Sequence, residues 1–89
     1  MEFRWNDWNL EHAQKHGVEA EESEEVIERA KPPWPDPREE NKWVVWGQTA
    51  VGRYVQVAYV IDADGTMYII HARPLNEKEK SGFRRRARR

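Results

Sequence analysis

The sequence predicts an α+β fold: an antiparallel β-meander packed by helices. Three observations carry this. Residues 53–62, "RYVQVAYVID", alternate between two faces that are both largely apolar, as a central strand does. Turn signals flank that run, "AVGR" before it and "DADGT" after it, so its neighbours run antiparallel. The segments outside the meander carry helix caps and helical spacing in place of alternation.

At the amino end, "EFRW" alternates apolar and polar residues and predicts a short edge strand. Asn6 or Asp7 then caps a helix predicted over 7–16, with Trp8, Leu10 and Ala13 as its packing residues. Gly17 ends it in a left-handed turn. Lys15 and His16 fall in its last turn, where unpartnered carbonyls favour a cation and a protonated imidazole. A second helix is predicted over 19–31. Ala20, Ile27 and Ala30 lie near one face with Val26 beside them, glutamates cover the rest, and Arg29 and Lys31 suit its carboxyl end. "KPPWPDP" stops it. Four prolines in six residues exclude a helix or a central strand and predict a stiff surface connection.

The meander is predicted over 43–73. "KWVVWGQTA" leads into the central strand, which places Tyr54, Gln56, Ala58 and Val60 on one face and Val55, Val57, Tyr59 and Ile61 on the other. "TMYIIHAR" returns after a turn with Asp64 and Gly65 at its tip. With the turn centred there, residues whose numbers sum to roughly 127 pair across the hairpin. Arg53 then faces Pro74, so Arg53 and Arg73 meet at one rim of the sheet. His71 lies two residues from Arg73 on the same face. Asn76 caps a last helix predicted over 77–87, with Glu79 completing a capping box and Gly82 a weak point inside.

Eighty-nine residues make a single domain, 1–89, able to bury about 60–65% of its unfolded surface. There is no cysteine, which excludes disulfide scaffolds, cysteine zinc sites and thiol nucleophiles. "MEFRWNDW" has no apolar signal region and no run reaches a membrane span, so the expectation is a cytoplasmic protein with no membrane contact. His12 and His16 are four apart, but the glutamate of HExxH is missing and no third ligand is evident; neither metal nor cofactor is expected. The net charge of −1 hides two poles. Residues 1–42 hold 12 acids against 6 bases, and residues 71–89 hold 2 acids against 8 bases. Such poles either serve different partners or attract each other. The overall charge near zero argues against a general RNA-binding protein.

"W-N-D…Q-K-H-G-V", a "G-R" opening the central strand, and "Y-I-I-H-A-R" followed by "N-E-K-E-K-S-G-F" together resemble the BrnT family, from Phe3 to Phe83 or so. These are toxin halves of bacterial type II toxin–antitoxin pairs, with a fold similar to that of RelE-type ribonucleases. The family's "KHG" is matched by Lys15, His16 and Gly17. Its arginine after the turn glycine is matched by Arg53. Its "I-S-A-R" is matched by Ile70, His71, Ala72 and Arg73, and its "K-E-R" by Lys78, Glu79 and Lys80, with Phe83 at a usual aromatic position. The chain departs from the pattern at His71 (usually serine), Ala20 (often aromatic), Lys42 (often arginine) and in its proline-rich connection.

The resemblance implies a ribonuclease toxin that cleaves RNA and inhibits translation. It also implies a cognate BrnA-like antitoxin that binds DNA, so that operator DNA is reached only through the antitoxin. The alternative is a catalytically inactive toxin-like module acting as co-repressor, which the departures at His71 and Lys42 allow. Attack of a ribose 2′-OH on the adjacent phosphate needs a base, an acid and positive charge on the phosphate, but no metal. His16 and His71 are the candidates for proton transfer. Arg53 and Arg73 are the candidates for the phosphate, with Lys15 assisting and Glu79 orienting a base or acting as one. Lys15, Lys78, Lys80, Arg84 and Arg85 are candidate RNA contacts, the last two within a terminal "RRRARR" suited to a phosphate backbone. Plainer roles stand beside these: His16 as a helix-end cation, Arg73 paired with a glutamate of the amino-terminal half, Glu79 as a cap, and most tryptophans as core.

Overall fold

The apolar alternation of the middle strand fixes the architecture. In the computed structural model, which describes residues 1–87, the chain is α+β, with three helices and a five-stranded sheet. The elements run β1 (Phe3–Arg4), α1 (Asp7–Gln14), α2 (Ala20–Glu28), β2 (Asp36–Pro37), β3 (Lys42–Gln48), β4 (Tyr54–Ile61), β5 (Met67–Pro74) and α3 (Glu77–Ala87). Strand order is β1-β5-β4-β3-β2, so the "RYVQVAYVI" strand is central, and β3, β4 and β5 form the expected antiparallel meander. β1 pairs with β5 in parallel, an addition at one edge. The proline-rich connection contributes the short β2 at the other edge, where a proline without an N–H is tolerated.

Two layers cover the sheet. Val45, Val55, Val57, Tyr59, Ile69 and Ala72 face one side, where they meet Ala13 of α1, Val18, and Val26 and Ile27 of α2. Gly47 of β3 lets α2 approach: a Cβ there would sit 2.9 Å from Val26 Cγ1. Gly47→Ala is therefore expected to cost about 1–3 kcal/mol, as other overpacked cores do, read as a lowered melting temperature. On the opposite side α3 crosses the strands. Glu79 meets Arg73 of β5, Phe83 sits on Tyr54 of β4 and on Trp34, and Arg86 reaches Asp36 of β2. The rest of this second face stays open.

Several local expectations shift. α1 ends at Gln14 with Lys15 as its cap residue, two residues earlier than predicted, and Gly17 takes the left-handed turn at φ 81°. α2 covers Ala20–Glu28 only, since Arg29 leaves helical geometry ahead of the prolines. In α1 the buried partner of Ala13 is Asn9, while Trp8 remains 52% exposed. Asn9 is wholly buried because it closes the α1 capping box: its amide oxygen accepts from Asn6 N–H, and its Nδ2 donates to the Arg4 carbonyl.

Candidate active site

A β-bulge decides what β5 presents. Ile69 opposes Tyr59 but His71 opposes Ala58, so Ile70 is an extra residue in the ladder. Without it, His71 would oppose Val57 and point into the core. With it, Ile70 and His71 both line the open second face, and Arg73 follows on the same side opposite Gln56. The bulge and the turn also move the predicted pairing: Val55 faces Pro74, and Tyr54 C=O accepts from Leu75 N–H, so Arg53 lies beyond the paired segment.

Beside that face runs α1, packed chiefly against β5. Its end brings His16 to His71, with ring centroids 5.6 Å apart and planes at 67°. Two motifs far apart in sequence thus place two imidazoles edge to edge. Burial holds the His71 ring below the usual histidine range, and the positive neighbours His16, Arg73, Lys15 and Lys42 press it further down. Both effects favour the neutral form of His71. An open groove of about 1130 Å³ extends from it over Val44, Ala58 and Val60 to Lys42 and Arg38.

Arg73 and Glu79 form a bidentate pair, with Nη1 and Nη2 each 2.7 Å from a carboxylate oxygen. Arg73 Nη2 also donates to Gln56 Oε1 at 3.3 Å. Glu79 in turn accepts from Asn76 N–H and completes the predicted capping box. The Arg73 guanidinium, then that backbone N–H, hold the Glu79 carboxyl down to about 2. At neutral pH it is a fixed carboxylate with little basicity. The expected partner of Arg73 in the amino-terminal half is thereby replaced by a neighbour on α3.

Arg53 does not join this group. It shares the parity of Val55 and Val57 and so belongs to the helix-covered side. Its Nη1 donates to Glu22 at 2.8 and 2.9 Å and to the Gly17 carbonyl at 3.2 Å. The single rim of two arginines is thus corrected to two arginines on opposite faces, each held by its own carboxylate. Arg53 ties the "KHG" turn and the start of α2 to the meander, which positions His16 indirectly.

Of the other cations, Lys15 is exposed beside His16, and Lys78 is exposed on α3. Lys80 pairs with Glu77 and lies over Tyr54 together with Arg84. Arg85 reaches Ser81, and Arg86 stacks over Trp34 while bonding Asp36. Arg88 and Arg89 of the basic terminus lie outside the described residues. Sequence reasoning missed Arg38 in the groove, and it assigned Lys42 no role; both border the open face because the chain reverses there from β2 into β3. No signal in the local pattern marks them.

Among known proteins, no family model, no curated protein and no solved structure matches this chain. No helix among the described residues is long and apolar enough to cross a membrane.

Proposed function

We propose that this chain is a metal-independent endoribonuclease toxin of the BrnT kind, cleaving RNA to inhibit translation and neutralised by a cognate BrnA-like antitoxin. The observation that carries the reading is the His16–His71 pair at the edge of an open groove, with Lys15, Lys42 and Arg73 near enough to act on the His71 ring. The resemblance of the "KHG", "IHAR" and "KEK" segments to that family supports it. In this scheme His71, held neutral, accepts the proton of a ribose 2′-OH. The 2′ oxygen bonds to the adjacent phosphorus, Lys15, Lys42 and Arg73 offset the charge that builds on its oxygens, and His16 protonates the 5′ oxygen as its bond breaks. The products are a 2′,3′-cyclic phosphate and a 5′-hydroxyl. The test is incubation of the free protein with RNA in the presence of a chelator. Cleavage leaving cyclic phosphate ends supports the reading, and intact RNA at all protein concentrations refutes it.

A specific observation favours a second reading, an inactive toxin-like co-repressor: both family arginines are occupied by carboxylates, Arg53 by Glu22 and Arg73 by Glu79. Toxicity on expression without the antitoxin separates the two. In either case an acidic antitoxin segment has a surface to cover, the exposed Arg84 and Arg85 of α3. Since Arg86 also anchors α3 to Asp36, the clean variant is Arg84→Gln with Arg85→Gln. It is expected to weaken antitoxin binding at low salt and to flatten its salt dependence, with α3 still docked. Titration of complex formation against salt checks this.

A further inference from the structure

Of the five tryptophans, Trp8 alone ranks among the exposed large side chains, at 52%. It is nevertheless held in place. His12 lies flat against it, with centroids 3.8 Å apart and planes 20° apart. The His12 ring is itself fixed, because Nδ1 donates to the Trp8 carbonyl at 2.7 Å, which leaves Nε2 free. Trp8 also meets Tyr68, with centroids 6.3 Å apart and planes tilted by 49°, and the Arg4 guanidinium covers the Tyr68 ring at 4.0 Å. Tyr68 is anchored by its hydroxyl to Asn6 and Arg4 by Asp62.

The sequence separates these groups, but the fold puts them in line. Trp8 and His12 stand four residues apart on α1 and so share one side of the helix, and His16 follows in the turn that ends it. α1 follows β1, which runs parallel to β5, so Tyr68 lies at the Trp8 end and His71 at the His16 end. Along α1, Trp8 and His12 are about 6 Å apart at helical rise, room for one to two stacked base steps of about 3.4 Å before the turn that holds His16. The row is bordered by the cations Arg4 and Lys15, with Glu11 on its flank.

We infer that this row is a stacking track for single-stranded RNA, in which Trp8 and His12 receive bases and feed the strand to His16 and His71. The inference deepens the ribonuclease reading and rests on it. Every base offers a π-face, so a fixed indole binds bases without regard to sequence. The rings are held before any ligand arrives, which removes most of the ordering cost of binding. Lys15, exposed at the His16 end of the row, suits a phosphate there, while the charge of Arg4 is shared with Asp62.

The experiment measures binding of a short, labelled 2′-O-methyl RNA, which lacks the attacking hydroxyl, by fluorescence anisotropy. An abasic strand of equal charge runs in parallel. Trp8→Ala is expected to weaken binding of the base-bearing strand about 10-fold or more, while Trp8→Phe keeps most of it. Both proteins should bind the abasic strand alike and weakly. Equal binding of the base-bearing strand by wild type and Trp8→Ala overturns the track, as does equal loss with the abasic strand, or no binding by wild type. So does a wild-type dimer that Trp8→Ala dissociates with RNA affinity unchanged, since the occupant is then a second copy. Because the strand cannot be cleaved, Trp8-dependent binding by a protein that leaves ordinary RNA intact supports the track and refutes the nuclease. Cleavage of ordinary RNA together with Trp8-independent binding does the reverse.

Discussion

Alanine at His16 or at His71 is expected to lower RNA cleavage by about 10²–10⁴-fold with the fold intact, the usual loss when a positioned acid or base is removed. The fold should survive because neither ring is in the core cluster; His16 is exposed and His71 lines the open groove. The two variants differ in their pH profiles. In the proposed scheme, cleavage needs His71 neutral. Burial, followed by its positive neighbours, holds its pKa below the usual 6.5, so the acidic limb of the rate profile should fall below pH 6.5. The limb depends on His71, so it should persist in the residual activity of His16→Ala and vanish in that of His71→Ala. Replacing Lys42 with methionine removes only a minor contributor, and the limb should move upward slightly, burial being the larger cause. Rates against pH for the four proteins, with thermal melts alongside, check this. A limb unchanged in His71→Ala would remove His71 from the chemistry.

What the sequence could tell was set by how local each cause is. The central position of β4 was legible because it is largely apolar on both faces and has turn signals before and after it, which bring an antiparallel strand to each of its edges. The turn at Gly65, the end of α1 at Gly17 and the Asn76–Glu79 capping box were legible because each is determined within four or five residues. The bulge at Ile70 was not. A run such as "YIIHAR" reads the same with or without an inserted residue, and only packing of Ile69 and Ala72 into one core forces it. The proximity of His16 to His71 and the separation of Arg53 from Arg73 both follow from that packing. For Arg53 the decisive partner is Glu22, one of a row of glutamates in α2 that composition alone cannot tell apart. Trp8 was misread because helical spacing said only that it lies near Leu10 and Ala13. The capping role of Asn9 turned α1 so that an amide is buried and the indole is left outside.

The same pairing that argues for an inactive module also offers the sharpest test of it. Glu79→Gln keeps an oxygen for the Asn76 N–H, and glutamine serves in a capping box, so α3 should still start where it does. What it loses is the charge that grips Arg73. Wild-type Glu79 titrates at about 2 when folded, against about 4.5 otherwise, so its stabilising share is present above about pH 4.5 and is lost as pH falls towards 2. Screened by the solvent around both side chains, that share amounts to about 1–2 kcal/mol. Glu79→Gln should therefore melt earlier than wild type at pH 7, and the two curves should converge near pH 2. Its effect on RNA should be the opposite. With Arg73 released towards the groove, cleavage should hold or rise, whereas Arg73→Ala should lower it by about 10²–10³-fold, the cost of removing one charge-stabilising donor. If Glu79→Gln loses cleavage as severely as Arg73→Ala while remaining folded, the carboxylate itself takes part in the chemistry, and the assignment of base and acid to the two histidines is wrong. If neither variant changes cleavage, Arg73 is only a strut between β5 and α3, and the positive charge at the phosphate must come from Lys15 and Lys42.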